Sequence, residues 1–381
     1  MPKKETFLIR FAKNILKALK IRQVRLYGSK FSKKTYTLYQ HIILLAVREY
    51  NKGMGYRQFC ELLPDYAHLL DFLGLTKIPH FTTLQKVTQR LKGTFIENIF
   101  LGFLNKTKFR SGIDSTGLSL QRSTYYYEKR LEHFRKAKKK KRGRPRLRRK
   151  KKHQYTSIFA DLDNQIILST KLLRGSKSDM KMMIPTIKKA KEIFHKIISN
   201  DADRGYDAEY NHKFTNNSMK AKDFIKLKNI DVPIYKTRGT NRKKAKRRMK
   251  NKKGRPRKNH RNKMESIIFV LKTICGEHIT AVKAATQRQQ TRFRIIAYNA
   301  YRKSSKSSRG IFFEDFYAAD YFINLNKLLL LMDNKISDEV SNDTLRIAII
   351  ALLVAINFGI YQTFGKQGNS SKRSYWTITN Y

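Results

Sequence analysis

The chain has 381 residues, 40% of them apolar, with 83 Lys and Arg against 28 Asp and Glu, a formal net charge of +55. That apolar content supports a packed core and excludes a disordered tail protein. The charge directs attention to polyanionic partners, nucleic acid first. It is not evenly spread: residues 135–152 hold 14 Lys or Arg and no acid, residues 236–263 hold 16 and no acid, and the remainder keeps an excess of 25. Cys60 and Cys275 show no metal spacing and suggest no disulfide framework.

Residues 1–107 read as all-helical. The first twenty residues mix basic and apolar side chains at helical spacing and lack the apolar block and cleavage site of a signal peptide. Residues 35–51 (TYTLYQHIILLAVREYN) form an amphipathic stretch, and Thr82 or Thr83 could cap a helix over residues 84–91. Between them Pro64, Gly74 and Pro79 punctuate short apolar segments. The arrangement fits a helix-turn-helix-like bundle, and equally a helical domain that never touches DNA.

From Lys108 the pattern becomes mixed. KFRSGIDSTGLSLQ reads as a strand running into a turn, with Asp114 at the strand's end, and YTSIFADLDNQIILSTKLL as two strands around a tight turn at residues 161–164. Asp179 is placed to cap a helix over residues 180–194, in which Pro185 limits where the regular helix begins. HKIISNDAD is a short strand ending in the loop DRGYDAEY; a helical stretch and a short strand, DVPIYKT, follow, and then a helix over residues 262–273. This order implies an α/β domain, a mixed sheet with helices packed on it, over residues 108–302. Two basic arms, 135–152 and 236–260, interrupt it, and blocks of like charge this dense are expected to lack structure without a polyanion. Residues 303–381 are a C-terminal helical segment and tail. Their uncharged run, 347–364, contains Asn357, Gly359 and Gln362 and reads as a buried helix rather than a membrane span.

Because acids are scarce, those at strand ends stand out. Asp114 suits a turn, and Asp203 suits a solvated loop. Asp201, two residues upstream, would share a face with Asp203 in an extended strand. Glu265 has more context. On a helix reaching back to Arg261, at about 100° per residue, Arg261, Glu265 and Lys272 project from one narrow stripe. The intervening SIIFVL is apolar nearly all round, which implies a buried helix. An ion-pair ladder would explain the stripe, and so would phosphoryl chemistry. Two divalent ions roughly 3.5–4 Å apart clamp the attacking and leaving oxygens of a displacement at phosphorus. Two Asp and one Glu suit Mg2+, a hard cation.

At these residues the chain resembles the DDE transposases of bacterial and archaeal insertion sequences. GIDSTGL places Asp114 on the family's first aspartate, and NDADRGYDAEY places Asp203, rather than Asp201, on its second. In RNKMESIIFVLK, Arg261, Glu265 and Lys272 follow the spacing of the Tyr-Arg-Glu-Lys signature, with Lys258 where the family has Tyr. AATQRQQTRFRIIAYNAYR is similar to the family's closing helices, so the resemblance covers about residues 40–302. It implies an RNase H-like fold and Mg2+ or Mn2+ held by Asp114, Asp203 and Glu265. It further implies Arg261 and Lys272 on DNA phosphates, and a homodimer or higher oligomer acting on two transposon ends. The compartment implied is the prokaryotic cytoplasm, at the nucleoid.

Each arm also contains Gly-Arg-Pro-Arg, at residues 143–146 and 254–257. This core looks like an AT-hook. Glycine admits the backbone to a narrow groove, proline keeps it extended, and Arg142, Arg144, Arg146, Arg255 and Arg257, with Lys258, would meet the negative potential of AT-rich DNA. Three other readings stand beside a transposase: an architectural AT-hook protein with no chemistry, a nuclease or resolvase on the same fold, and an inactive remnant.

Overall fold

A computed structural model describes residues 5–28, 34–104, 107–121, 129, 153–175, 177–250 and 259–306. The first basic arm, the second Gly-Arg-Pro-Arg segment and residues 307–381, with the apolar run 347–364, lie outside these. No helix among the described residues is long and apolar enough to cross a membrane.

Strand β1 (Phe109–Leu120) is the centre of a six-stranded sheet. It pairs antiparallel with β2 (His153–Asp161), which pairs antiparallel with β3 (Ile166–Arg174) across the turn expected at 161–164. On its other side β1 pairs parallel with β4 (Ile197–Ala202), and β4 with β5 (Lys222–Ile225). The order is β3-β2-β1-β4-β5, and a two-residue strand, β6 (His278–Ile279), pairs with the far end of β1. This is the RNase H-like mixed sheet with flanking helices. Every β2 residue after His153 is buried, so helices cover both faces there.

The N-terminal region contributes α1 (Phe7–Ile21), α2 (Leu38–Tyr50), α3 (Tyr56–Leu62), α4 (Ala67–Phe72), α5 (Phe81–Arg90) and α6 (Gly93–Phe100). The amphipathic reading of 35–51 needs correction. α2 is buried on every side from His41 to Glu49, and a Thr37–Gln40 capping box starts it. Its charged residues are tolerated because they are paired: Glu49 binds Arg294 at 3.1 Å, and Arg48 binds Glu49 at 2.5 Å. α5 begins three residues earlier than expected, behind His80, and neither Thr82 nor Thr83 caps it.

After β3 come α7 (Asp179–Ile187), which contains Pro185, and a 3-10 segment, Lys188–Lys196, kinked at Ala190. Proline's missing N–H and the kink replace the single helix expected over 180–194. α8 (Glu209–Lys213) follows β4. The short strand expected at DVPIYKT is absent; those residues turn, with Lys236 and Thr237 N–H bonding the Pro233 and Ile234 carbonyls. The strand is β5, whose Asp223 and Ile225 are buried beside β4.

Part of the second basic arm is ordered, against expectation: α9 (Thr240–Lys250) is a helix. α10 (Asn259–Cys275) and α11 (Ala284–Lys306) close the described chain. α11 ties the parts together. Its Asn299 amide bonds both main-chain groups of Ile167 in β3, at 2.8 and 2.9 Å, and its buried Arg294 reaches Glu49 in α2. One hydrophobic core therefore runs from α1 and α2 through the sheet to α10 and α11.

Candidate active site

β1 does not end at Asp114; it continues to Leu120, because β2 pairs with it as far as Ser119 and β6 beyond. What ends near Asp114 is the parallel pairing. In register Gly112 stands beside Asp201 and Ile113 beside Ala202. One step further, Asp114 faces the position of Asp203, whose backbone is still extended (φ −78°, ψ 172°). The two aspartates lie near each other where β1 and β4 part, close enough for the charge of Asp203 to raise the Asp114 carboxyl, outside the carboxyl end of a parallel strand, the usual place for a site in an open α/β sheet.

Glu265 arrives on α10, which packs on β1 and β4. A Cβ on Gly112 would lie 2.9 Å from Leu162 Cδ2 and 3.0 Å from Met264 Cγ, so only glycine lets the helix lie this close. Gly112 and Asp114 point to the same face, so Met264 brings its neighbour Glu265 to the Asp114 side. Lys263 adds a 3.9 Å contact to Asp163 in the β2–β3 turn, itself paired with Arg110. α10 is not buried all round. Met264, Ile267, Leu271, Ile274 and Cys275 form one buried stripe, whereas Glu265 and Ser266 are exposed and Phe269 is 69% exposed. A helix lying on a sheet needs only one apolar face.

Electrostatics report the convergence. Burial pushes the Asp114 carboxyl up to about 6; the Ser115 N–H, 2.8 Å away, opposes this, and the charges of Asp203, Asp179 and Glu265 add to it. Asp203 is more open, with its side chain 46% exposed and Lys226 Nζ 3.9 Å away. Asp201 lies elsewhere electrostatically. Burial pushes it up to about 7, with Arg110 opposing and Asp163 and Asp223 adding.

Of the other expected site residues, Lys272 pairs with Glu277 at 3.4 Å. Arg261 lies within the span of α10, but its side chain is outside the described residues, as are Arg142, Arg144, Arg146, Arg255, Arg257 and Lys258. Among the described residues no three acidic, histidine or cysteine side chains close on one point tightly enough to hold an ion. The chemistry of the donor set nonetheless fits a hard divalent cation: carboxylates that raise one another's proton affinity are relieved by a positive charge placed between them.

Two features of this region were missed from sequence. Asp179 is the first residue of α7, not its cap, and it accepts hydrogen bonds from Ser115 Oγ and Tyr155 Oη, each at 2.6 Å. The second is a buried charge network behind Asp203. His212 Nδ1 lies 2.5 Å from Asp223 and Nε2 3.2 Å from Asp207, and Arg242 binds Asp207 through two 2.7 Å bonds. Glu209 accepts the Asn241 and Arg242 N–H groups at the start of α9, and Lys246 donates to the Asn229 and Val232 carbonyls. These contacts order α9 within the arm.

Burial works against a charged His212, but the two carboxylates outweigh it and raise its pKa to about 9. A raised histidine contributes stability in full below its unfolded value, near 6.5, and loses it as pH climbs through about 9. Urea stability should therefore fall between pH 7 and 9.5. Asp207→Asn should cost about 3 kcal/mol at pH 7 by leaving Arg242 without its carboxylate and His212 with Asp223 alone, and should flatten that alkaline loss. An unchanged alkaline limb in the variant would assign the loss to other groups.

The mixed sheet, its order β3-β2-β1-β4-β5 and its flanking helices define an RNase H-like domain. Residues 112–300 match the family model described as transposase DDE domain, a span that takes in Asp114, Asp203 and Glu265. The match supports a DDE transposase, and with it a DNA-binding enzyme of transposition. Neither the curated proteins nor the solved structures contain a match to this chain.

Proposed function

We propose that the chain cuts transposon ends and joins the freed 3′-hydroxyl to target DNA by two successive in-line displacements at phosphorus. The observation that carries the reading is the meeting of Asp114 and Asp203 at the end of the β1–β4 pairing, with Glu265 close enough to press on Asp114. These three carboxylates would hold Mg2+ or Mn2+, which supplies Lewis-acid stabilisation of the attacking and leaving oxygens when bound. The rest falls to the chain's own groups. Arg261 and Lys272, about one helical turn before Glu265 and about two after it, would hold phosphates beside the cut. Lys244 and Arg247 face solvent on α9 and extend the positive surface. α5 presents Gln85, Lys86, Gln89 and Arg90 outward from the N-terminal helices, a face suited to reading transposon ends. The two Gly-Arg-Pro-Arg arms would favour AT-rich DNA, and joining two ends calls for a dimer or higher oligomer in the prokaryotic cytoplasm.

The test is a cleavage assay on the element's own ends, with Mg2+ and separately with Ca2+. Nicking in Mg2+, with Ca2+ supporting binding alone, is expected. Tight DNA binding with no cleavage in Mg2+ or Mn2+ would favour an architectural protein, and cleavage without strand joining a nuclease.

A further inference from the structure

We propose that Asp179 is a positioning residue that fastens the strand bearing Asp114 to the loop bearing Asp203; the proposal rests on the functional reading above. Successive side chains of β1 alternate, so Ser115 points to the face opposite Asp114. α7 lies on that opposite face, where its Thr186 hydroxyl meets Ser157 of β2, the cross-strand partner of Ser115. Asp179 thus sits beneath the gathered acids, on the side of the sheet away from α10.

From there it bonds to two strands and lies against the loop after Asp203. One carboxylate oxygen takes Ser115 Oγ from β1 and Tyr155 Oη from β2, each at 2.6 Å. The other faces the loop just after Asp203: a Cβ placed on Gly205 would come within 3.3 Å of it. The same loop is tied to the first turn of α7 by the Asn211 amide, which donates to the Met180 and Tyr206 carbonyls at 2.9 and 2.8 Å. Tyr206 in the same loop is 1% exposed. β1 and β4 have no hydrogen-bonded register beyond Ile113 and Ala202. Their spacing at Asp114 and Asp203 is therefore set from below, by Asp179 and its partners. A charged acceptor with two hydroxyl donors is a strong and directional tie. Groups that orient metal-holding carboxylates cost about 10–100-fold in affinity or activity when lost.

The experiment uses the full chain with Asp179→Ala and, as a milder lesion that removes one bond, Ser115→Ala. Thermal unfolding checks that each variant is folded. Mn2+ binding is followed by electron paramagnetic resonance without DNA, and Mg2+ is titrated in the cleavage assay. Mn2+ affinity should fall about tenfold or more in Asp179→Ala, with a smaller loss in Ser115→Ala and DNA affinity unchanged. The Mg2+ needed for half-maximal cleavage should rise in parallel. Asp179→Asn, which keeps the acceptor oxygen, should restore part of the loss. A folded Asp179→Ala with wild-type Mn2+ affinity and Mg2+ requirement would overturn the proposal while leaving the transposase reading intact. Conversely, a wild-type chain that binds Mn2+ but does not cut ends would count against that reading alone, because the Mn2+ comparison still decides the role of Asp179.

Discussion

Asp203→Ala should abolish strand cleavage, by on the order of 1,000-fold or more, while leaving the binding of transposon ends intact. A group that holds charge only where the reaction needs it contributes at least that much to the barrier. Asp201→Asn should retain cleavage within about tenfold, the informative contrast being between two aspartates separated only by Ala202. Asp201 stands beside Gly112 and Phe224, in a setting shaped by Arg110, Asp163 and Asp223. Asp203 stands further along, beside Asp114, where the strands part. Asp201→Asn should even stabilise the protein above pH 7. Its carboxyl, raised to about 7, contributes stability only while protonated and loses it as pH climbs through that value. Nicking of an end-labelled duplex and gel retardation of the same duplex measure both variants. Cleavage surviving in Asp203→Ala and lost in Asp201→Asn would reverse the assignment.

Asp114→Asn should lose cleavage to a similar degree and yet unfold at a higher temperature than wild type in metal-free buffer at pH 7–8. The sign follows from linkage. The Asp114 carboxyl is raised from 3.8 to about 6, so it stabilises the fold in full below pH 3.8 and loses that contribution as pH rises through 6. At neutral pH the ionised group is partly buried beside Asp203, Asp179 and Glu265, and its charge is a cost. Removing the charge should recover on the order of 1–2 kcal/mol, after allowance for solvent screening, or roughly 2–4 °C per kcal/mol. Mg2+ should then raise the melting temperature of wild type and not of the variant, since ligand binding stabilises only a protein that binds it. Calorimetry at pH 4 and pH 8, with and without Mg2+, separates these terms. A variant less stable than wild type at pH 8 would mean that Asp114 is held by favourable contacts rather than strained by its neighbours.

The local sequence was sufficient for several elements because their signals are short-range. The β2–β3 hairpin is written in two apolar runs about a turn-forming Asp-Leu-Asp-Asn; the helix α10 was legible too, although its apolar run implied burial all round and Phe269 is exposed. Residue spacing alone also sets Arg261, Glu265 and Lys272 on one stripe, since helical angles depend only on residue number. Where tertiary contacts outvoted local preference, the reading failed. Asp-Ser-Thr-Gly is good turn chemistry, but β2 pairs across it and keeps Asp114 inside a strand. DVPIYKT has strand-like residues, yet no strand pairs with it, while the shorter KDFI pairs with β4. Residues 240–250 of the second arm form a helix because Asp207, Glu209 and three main-chain carbonyls accept from its Arg242, Lys246 and Arg248.

The gathered acids show the same division. Scarce acids near segment ends drew attention to Asp114, Asp201, Asp203 and Glu265, and only the resemblance to DDE transposases favoured Asp203 over Asp201. Three relations depended on the folded chain: that Asp203 rather than Asp201 stands beside Asp114, that Gly112 brings α10 down onto β1, and that Asp179 reaches Ser115 and Tyr155. Each is a distance between segments 24 or more residues apart. Strand register and helix–sheet approach set such distances, and neither leaves a periodic mark on any one segment.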